Sequence, residues 1–494
     1  MNRRQFVASV AAAGPAVLRG FAKSKPNLLL LMADQHRADW MGCDGNAAVH
    51  TPNLDRLSRE GVRFASAYSS TPTCTPARSA LLTGMSPWGH GMLGYSAVAK
   101  KYPVELPRVL RDGGYYTYGI GKMHWSPQRN LHGFHGTLLD ESGRVESPDF
   151  RSDYRSWFAS QAPNLDPDAT GIGWNDYTAK PYILPEELHP TRWTADSAVH
   201  FLDSYGRPEP FFLKVSFARP HSPYDPPNRW WKRYEDARLP EARAGAWADK
   251  YRPRNTAADD IWHGDVGQDA IRLARVGYSG SVSFVDEQIG RILESLDRRK
   301  LLDETFIIYL SDHGDMTGDH WLWRKSYAYE PSARIPMIVR GPGAPRGTVS
   351  HTPVEIRDIL PTLATTAGIP VPRACEGQNM LTARRDWIDL EHNVCYDAIN
   401  HWTALTDGKW KYIYHAFDGA EQLFNLTRDP KELTDLSGGV SHTATLKQWR
   451  SRMAAHLEPR GPEWVKNGAP IPRPRSMPKS PNYPSDRSPT VAAP

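Results

Sequence analysis

The chain has 494 residues, 40% of them apolar and 23% charged, the balance of a globular polypeptide able to bury a large core and too long for one minimal domain. Its formal charge of +5 is the charge of residues 1–25 alone, where Arg3, Arg4, Arg19, Lys23 and Lys25 stand without an acidic residue. The near-neutral remainder excludes a nucleic-acid groove or a polybasic membrane patch, and four cysteines are too few for a disulfide-built scaffold.

Taken in chain order, "MNRRQFVASVAAAGPAVLRGFAKSK" (1–25) pairs two arginines with Phe6 and a weak Ala/Val run. It is too short to span a bilayer and reads as a twin-arginine export signal, which would place the mature protein in the periplasm or outside the cell. No other run reaches spanning length, so no stable membrane insertion is expected. Three apolar runs then end in polar clusters. "NLLLLM" (27–32) leads to Asp34 and Gln35, "PFFLKVSF" (210–217) to His221, and "TFIIYL" (305–310) to Asp312 and His313. Such runs suit central strands of a parallel sheet covered on both faces. Between them "YSGSVSFVDEQIGRILESLD" (278–297) sets Val282, Val285, Ile289, Ile292, Leu293 and Leu296 on one helix face. The alternation predicts an α/β fold, a large mostly parallel sheet flanked by helices. Ligands gather at the carboxyl ends of such strands, so Asp34, Gln35, His221, Asp312 and His313 are candidates for one site.

Residues 140–265 read as long loops and insertions, the usual carriers of specificity. Past 370 the runs "NVCYDAI", "TALTD", "KWKYIYH" and "EQLFNL" predict a small antiparallel sheet, followed by a helix near 443–457. The division expected is 1–25 signal, 26–370 α/β domain, 371–466 α+β subdomain and 467–494 a Pro-rich segment read as a poorly packed tail or a strap. A Cys375–Cys395 bridge is left open. His36, His90, His132 and His135 read as surface or loop histidines, and Trp321 and Trp323 as packing.

"TPTCTPARSALLTG" (71–84) holds the sharpest signal. Pro76 suits a first helical turn and Gly84 a helix end, so Cys74 falls at a helix N-terminus, where free N–H groups favour negative charge. Arg78 lies one turn on and can point back to the same spot. The spacing Cys-x-Pro-x-Arg resembles the sulfatase signature, and "GYYTYGIGKMH" (114–124), ending in Lys122 and His124, resembles the second signature of that family. The likeness extends through "SDHGDMTGDHWLWRKSYAYEPSARIPMIVRGPG" and into residues 405–436.

The resemblance implies the alkaline-phosphatase-like fold and the following roles. Cys74, oxidised to Cα-formylglycine by a maturation enzyme, would be both nucleophile and metal ligand. Asp34, Gln35, Asp312 and His313 match the metal-ligand positions, and Arg78 would steady the hydrated aldehyde. Lys122 and Lys325 would grip sulfate oxygens, His221 would sit near the bridging ester oxygen, and His124 beside the second hydroxyl. Asp315, Asp319 and His320 would hold the surrounding loop. Many members carry a second aspartate and an asparagine where this chain has Gln35 and His313. One divalent ion is implied, Ca²⁺ first by family habit, with Mg²⁺ or Mn²⁺ as alternatives. The activity expected is hydrolysis of a sulfate monoester on a small molecule or carbohydrate. A phosphonate or phosphate diester hydrolase is the alternative, and a catalytically inactive sulfated-glycan binder the third reading.

Overall fold

The computed structural model describes residues 25–484 except 143, 145–147, 395 and 476; residues 1–24, with the export-signal reading, and Cys395 lie outside the described residues. β1 (Asn27–Asp34) is buried from Leu28 onward, which for a leucine is worth about 2 kcal/mol per side chain. α1 (Pro52–Glu60), β2 (Val62–Phe64) and β3 (Ala67–Tyr68) lead to α2 (Cys74–Thr83), and α3 (Pro87–His90) and α4 (Leu106–Asp112) follow it. Next come β4 (Tyr116–Gly121), β5 (Gly136–Leu139), α5 (Asp153–Gln161), α6 (Pro190–Ser204), β6 (Phe211–Pro220) and α7 (Asn228–Tyr234). α8 (Gln268–Arg298) precedes β7 (Thr305–Ser311), α9 (Glu330–Ala333), β8 (Met337–Arg340), β9 (Thr348–Ser350), β10 (Val354–Glu355) and α10 (Ile359–Thr366).

The main sheet runs in the order β5-β4-β6-β1-β7-β8-β2-β9, so the three runs predicted to be central are neighbours at its middle. β1 pairs in parallel with β6 and β7, whereas β8 is antiparallel to β7 and to β2. Alternation along β1 feeds two cores. Leu29 and Leu31 pack with Val285, Ile289, Ile292 and Leu296 of α8, while Leu28, Leu30 and Met32 pack with Ala77, Ala80 and Leu81 of α2 and Leu360 of α10. α8 spans 31 residues, about 46 Å, beginning ten residues before the predicted periodic stretch.

The C-terminal sheet is an antiparallel meander of β11 (Ile388–Asn393), β12 (His401–Thr406), β13 (Trp410–His415) and β14 (Glu421–Asn425), with α11 (Thr443–Leu457) on one face. Leu405, Tyr412 and Leu423 meet Trp449, Met453 and Leu457 of α11. The opposite face, with Trp402, Ala404, Ile413 and Phe424, packs on Tyr327 and Tyr329 of the α/β domain.

Several expectations are corrected. The first strand of this sheet is "IDLEHN", upstream of the apolar "NVCYDAI". Its Asp389 and Glu391 are buried because Arg357 and Arg460 reach them from distant segments. The 140–265 stretch holds α5, α6 and α7 besides β6; Ser152 and His189 cap α5 and α6 through side-chain acceptors. The tail is docked over its described length. After the β15 (Val465–Lys466) and β16 (Ala469–Pro470) hairpin, Pro478 O accepts from Leu93 N at 2.9 Å and Tyr483 Oη donates to Ala97 O at 2.9 Å. His36, His90 and His132 are buried, His36 against the Tyr309 hydroxyl and His132 against Glu105; His135 is exposed. Trp323 is buried in packing and Trp321 half-buried. Cys375 is a free thiol donating to Gly84 O. No helix among the described residues is long and apolar enough to cross a membrane.

Candidate active site

Thr73 is extended (φ −151°), Cys74 opens α2, and Gly84 closes it in the left-handed region (φ 68°) with its N–H on Ala80 O. Every residue of this helix is buried, so the sheet and α10 fix where Cys74 points. It points at the carboxyl ends of β1 and β7. Its Sγ lies 3.1 Å from His313 Nε2 and 3.8 Å from Asp34 Oδ1. One donor atom each from Asp34, Cys74, Asp312 and His313 falls within 4.8 Å of all the others, and all four residues are buried. Two carboxylates, an imidazole and the residue-74 side chain are a donor set that fits one divalent cation.

Cations surround these carboxylates. Lys122 Nζ is 2.8 Å from Asp34 Oδ2, and Arg78 reaches Asp34 Oδ2 at 3.0 Å and Asp312 Oδ2 at 2.9 Å. Arg78 also donates to Ser216 Oγ at 3.1 Å and to the Lys122 carbonyl. The guanidinium therefore lies on the two carboxylates that border Cys74. Gln35, strained into φ 69°, donates its N–H to Asp312 Oδ1 and its amide to Asp315 Oδ2. Its Oε1 accepts from Lys325 Nζ at 2.8 Å, and the same ammonium is 2.6 Å from His221 Nε2. His221 Nδ1 meets the Ser222 carbonyl at 2.7 Å, so Nδ1 carries the hydrogen and Nε2 is left to accept from Lys325. Asp319 pairs with Arg37 and Arg275, holding the loop between β7 and α9.

Burial dominates the electrostatics, and the charged neighbours decide its outcome. It would raise Asp34, but Lys122 and Arg78 hold that carboxyl well below its usual range. Burial and Asp34 would raise the Cys74 thiol, yet Lys325, His313 and Lys122 bring it below the ordinary value. Burial, then Lys325 and Lys122, push His221 far down; burial, then Lys122 and Arg144, do the same to His124. Both imidazoles are neutral near pH 7. Both ring nitrogens of His124 are buried without a partner among the described residues.

All the predicted site residues thus meet in one place, with His124 at its edge beside the exposed Tyr95 ring. Two features are invisible in the sequence pattern. Trp174, half-buried in the stretch before α6, lies 5.3 Å from the His221 ring and 5.6 Å from Lys122 Nζ. Its only signal was membership of an aromatic-rich insertion. Thr73 Oγ1 sits 2.6 Å from Ser326 Oγ and 2.8 Å from His392 Nε2, tying the start of α2 and the Lys325 turn to β11 of the C-terminal sheet.

The large mostly parallel sheet, its flanking helices and the appended antiparallel sheet are an architecture shared with solved hydrolase structures. The phosphonate monoester hydrolase of Agrobacterium radiobacter superposes with a TM-score of 0.72 at 24% identity over 91% of this chain and 99% of its own. A structure solved in complex with its substrate D-glucosamine-2-N,6-O-disulfate gives 0.72 at 21% over 88% and 98%. At these identities the likeness concerns the fold. The Sulfatase family model matches residues 26–369, and the model for the C-terminal region of N-sulphoglucosamine sulphohydrolase matches 318–458. An arylsulfatase of Clostridium perfringens is 37% identical over 88% of this chain and 95% of its own length. A choline-sulfatase of Rhizobium meliloti is 32% identical over 88% and 87%. The chain belongs to the sulfatase family.

Proposed function

We propose that this sulfatase hydrolyses the sulfate monoester of a sulfated carbohydrate or small molecule, with residue 74 matured to formylglycine and one divalent cation, Ca²⁺ in first place. The observation that carries the reading is Cys74 at the buried start of α2, within a four-donor cluster and faced by Lys122 and Lys325, the latter bonded to His221. Asp34, Asp312, His313 and residue 74 would hold the cation, with the Gln35 amide oxygen beside them. The cation supplies Lewis acidity, and hydrated formylglycine supplies one hydroxyl as nucleophile and a second whose loss of a proton releases sulfate.

The chain's own groups do the rest. Lys122 and Lys325 bind the sulfate oxygens, fixed positive charge where negative charge builds. The Lys325 Nζ–His221 Nε2 pair holds one proton between two nitrogens 2.6 Å apart and delivers it to the leaving oxygen, help worth roughly 10²–10⁴-fold. His124, neutral and with both ring nitrogens unpartnered, accepts the proton of the second hydroxyl. Arg78 helps keep the Asp34 carboxylate ionised through the cycle and holds Asp312 beside it.

A sulfated sugar is supported by relatives such as the N-acetylglucosamine-6-O-sulfatase of Bacteroides thetaiotaomicron, 25% identical over 86% of this chain. The paired arginines of residues 1–25 support export through the twin-arginine route, which carries folded proteins, so a maturation enzyme and metal loading would both act first. A reporter fused to residues 1–30 should leave the cytoplasm.

The deciding experiment is the mass of the peptide ending at Arg78, from protein of the native host, together with turnover of an aryl sulfate and an aryl phosphonate. An aldehyde at residue 74 and faster sulfate turnover are expected. An unmodified thiol in active protein, or faster phosphonate turnover, overturns the reading.

A further inference from the structure

The turn that presents Lys122 and His124 leaves the sheet at the end of β4. Gly121 (φ 91°) makes the exit, since a Cβ there would collide with the Ser216 carbonyl. Lys122 N still bonds Ser216 O at 2.8 Å, but beyond it the backbone has left the β6 ladder, and His124 is held left-handed at φ 62°. A non-glycine residue keeps that conformation only when its surroundings impose it.

One side chain imposes it. Glu141 Oε1 accepts both the Met123 N–H at 3.0 Å and the His124 N–H at 2.8 Å. The carboxylate is buried, and its other oxygen is braced by Arg144 Nη2 at 2.7 Å. It arrives from the segment after β5, the strand in parallel register with β4 through Gly121↔Leu139. Among the described residues the His124 ring has no hydrogen-bond partner, so its place follows from the backbone, and Glu141 holds that backbone. We infer that Glu141 is the positioning residue for this turn, holding His124, and through it Lys122, at the ester. The inference rests on the reading that these two residues face the substrate.

The distinguishing feature is reach rather than charge. Glu141→Asp keeps the charge and withdraws the acceptor by one methylene, about 1.5 Å. Glu141→Gln keeps the reach and discards the charge. A misplacement near 1 Å is able to cost about 10²-fold in rate. The expected result is kcat lowered about 10²-fold in the Asp variant with KM within about threefold, and turnover within about fivefold of wild type in the Gln variant. The second readout is deuterium uptake at the 123 and 124 amides, measured on folded protein with residue 74 still a thiol. Uptake should quicken in Glu141→Asp, and by less in Glu141→Gln, which keeps the acceptor in reach and loses only the Arg144 brace.

Wild-type turnover and exchange in Glu141→Asp, or a Gln variant as impaired as the Asp variant, overturns the inference. Should the Asp variant fail to fold, Arg144→Met loosens the same carboxylate and is expected to quicken the same amides; unchanged exchange there counts equally against it. If the wild-type protein bears the aldehyde yet hydrolyses no sulfate ester, the functional reading falls, while the exchange data still decide whether Glu141 holds the turn.

Discussion

Replacing Arg78 by methionine tests how the site tolerates two carboxylates under one helix start. Arg78 is 1% exposed and makes side-chain bonds to Asp34, Asp312, Ser216 and the Lys122 carbonyl. Methionine fills much of the volume but leaves Asp34 with Lys122 and the His313 ring and strips Asp312 of its guanidinium. Breaking a buried ion pair by removing one partner costs about 3–5 kcal/mol. For a chain of this length the unfolding entropy is about 1 kcal/mol/K, so the melting temperature should fall by about 3–5 °C. Turnover of an aryl sulfate should fall with it, since Asp34 and Asp312 lose the guanidinium that holds them in place. Added Ca²⁺ should raise the variant's melting temperature more than the wild type's, because the ion would supply positive charge to two carboxylates that have lost the guanidinium. Thermal unfolding with and without Ca²⁺, alongside kinetics, is the assay. A melting temperature within about 1 °C of wild type and undiminished turnover would refute the account of Arg78.

Other perturbations separate neighbouring roles. Trp174→Ala removes the ring beside His221 and should raise KM for aryl or sugar sulfates about tenfold with kcat nearly unchanged; a fall in kcat alone would contradict its part as a wall for the leaving group. Burial, with Arg357 adding to it, depresses the buried His90 to about 3, so below its unfolded value of 6.5 only the unfolded chain takes up that proton. Stability present above pH 6.5 is therefore lost as pH falls toward 3, about 3 kcal/mol of it by pH 4.5. His90→Asn should flatten the decline in melting temperature between pH 7 and 4.5, and parallel declines would count against this assignment. Lys411, fully buried, sits 2.9 Å from Glu432 and 2.8 Å from Glu330, joining the C-terminal sheet to α9. Lys411→Met should cost about 3–5 kcal/mol and expose the C-terminal subdomain to proteolysis first, read by time-resolved cleavage.

The sequence by itself determined the central architecture and most of the site. Leu28–Met32 and Phe306–Leu310 are apolar on both faces and Phe211–Phe217 nearly so, broken only by Lys214 and Ser216, and strands of that kind suit a place between two layers of helices. Once three such strands lie in parallel, Asp34, His221 and Asp312 must emerge at the same edge. Helix chemistry likewise placed Cys74 at a helix start and Gly84 at its end. Only the tertiary structure decided what depends on partners far along the chain. β11 is polar in sequence and buried in the fold because Arg357 and Arg460 come from elsewhere to pair with it. The tail has no periodicity, yet it docks through backbone bonds to residues 91–97 that no composition reveals. His36 and His132 looked like loop histidines until Tyr309 and Glu105 closed over them. Trp174, Glu141 and the Thr73–His392 contact escaped for the same reason. A local pattern reports which face of an element is apolar, whereas the partner of a buried polar group is chosen by packing across hundreds of residues.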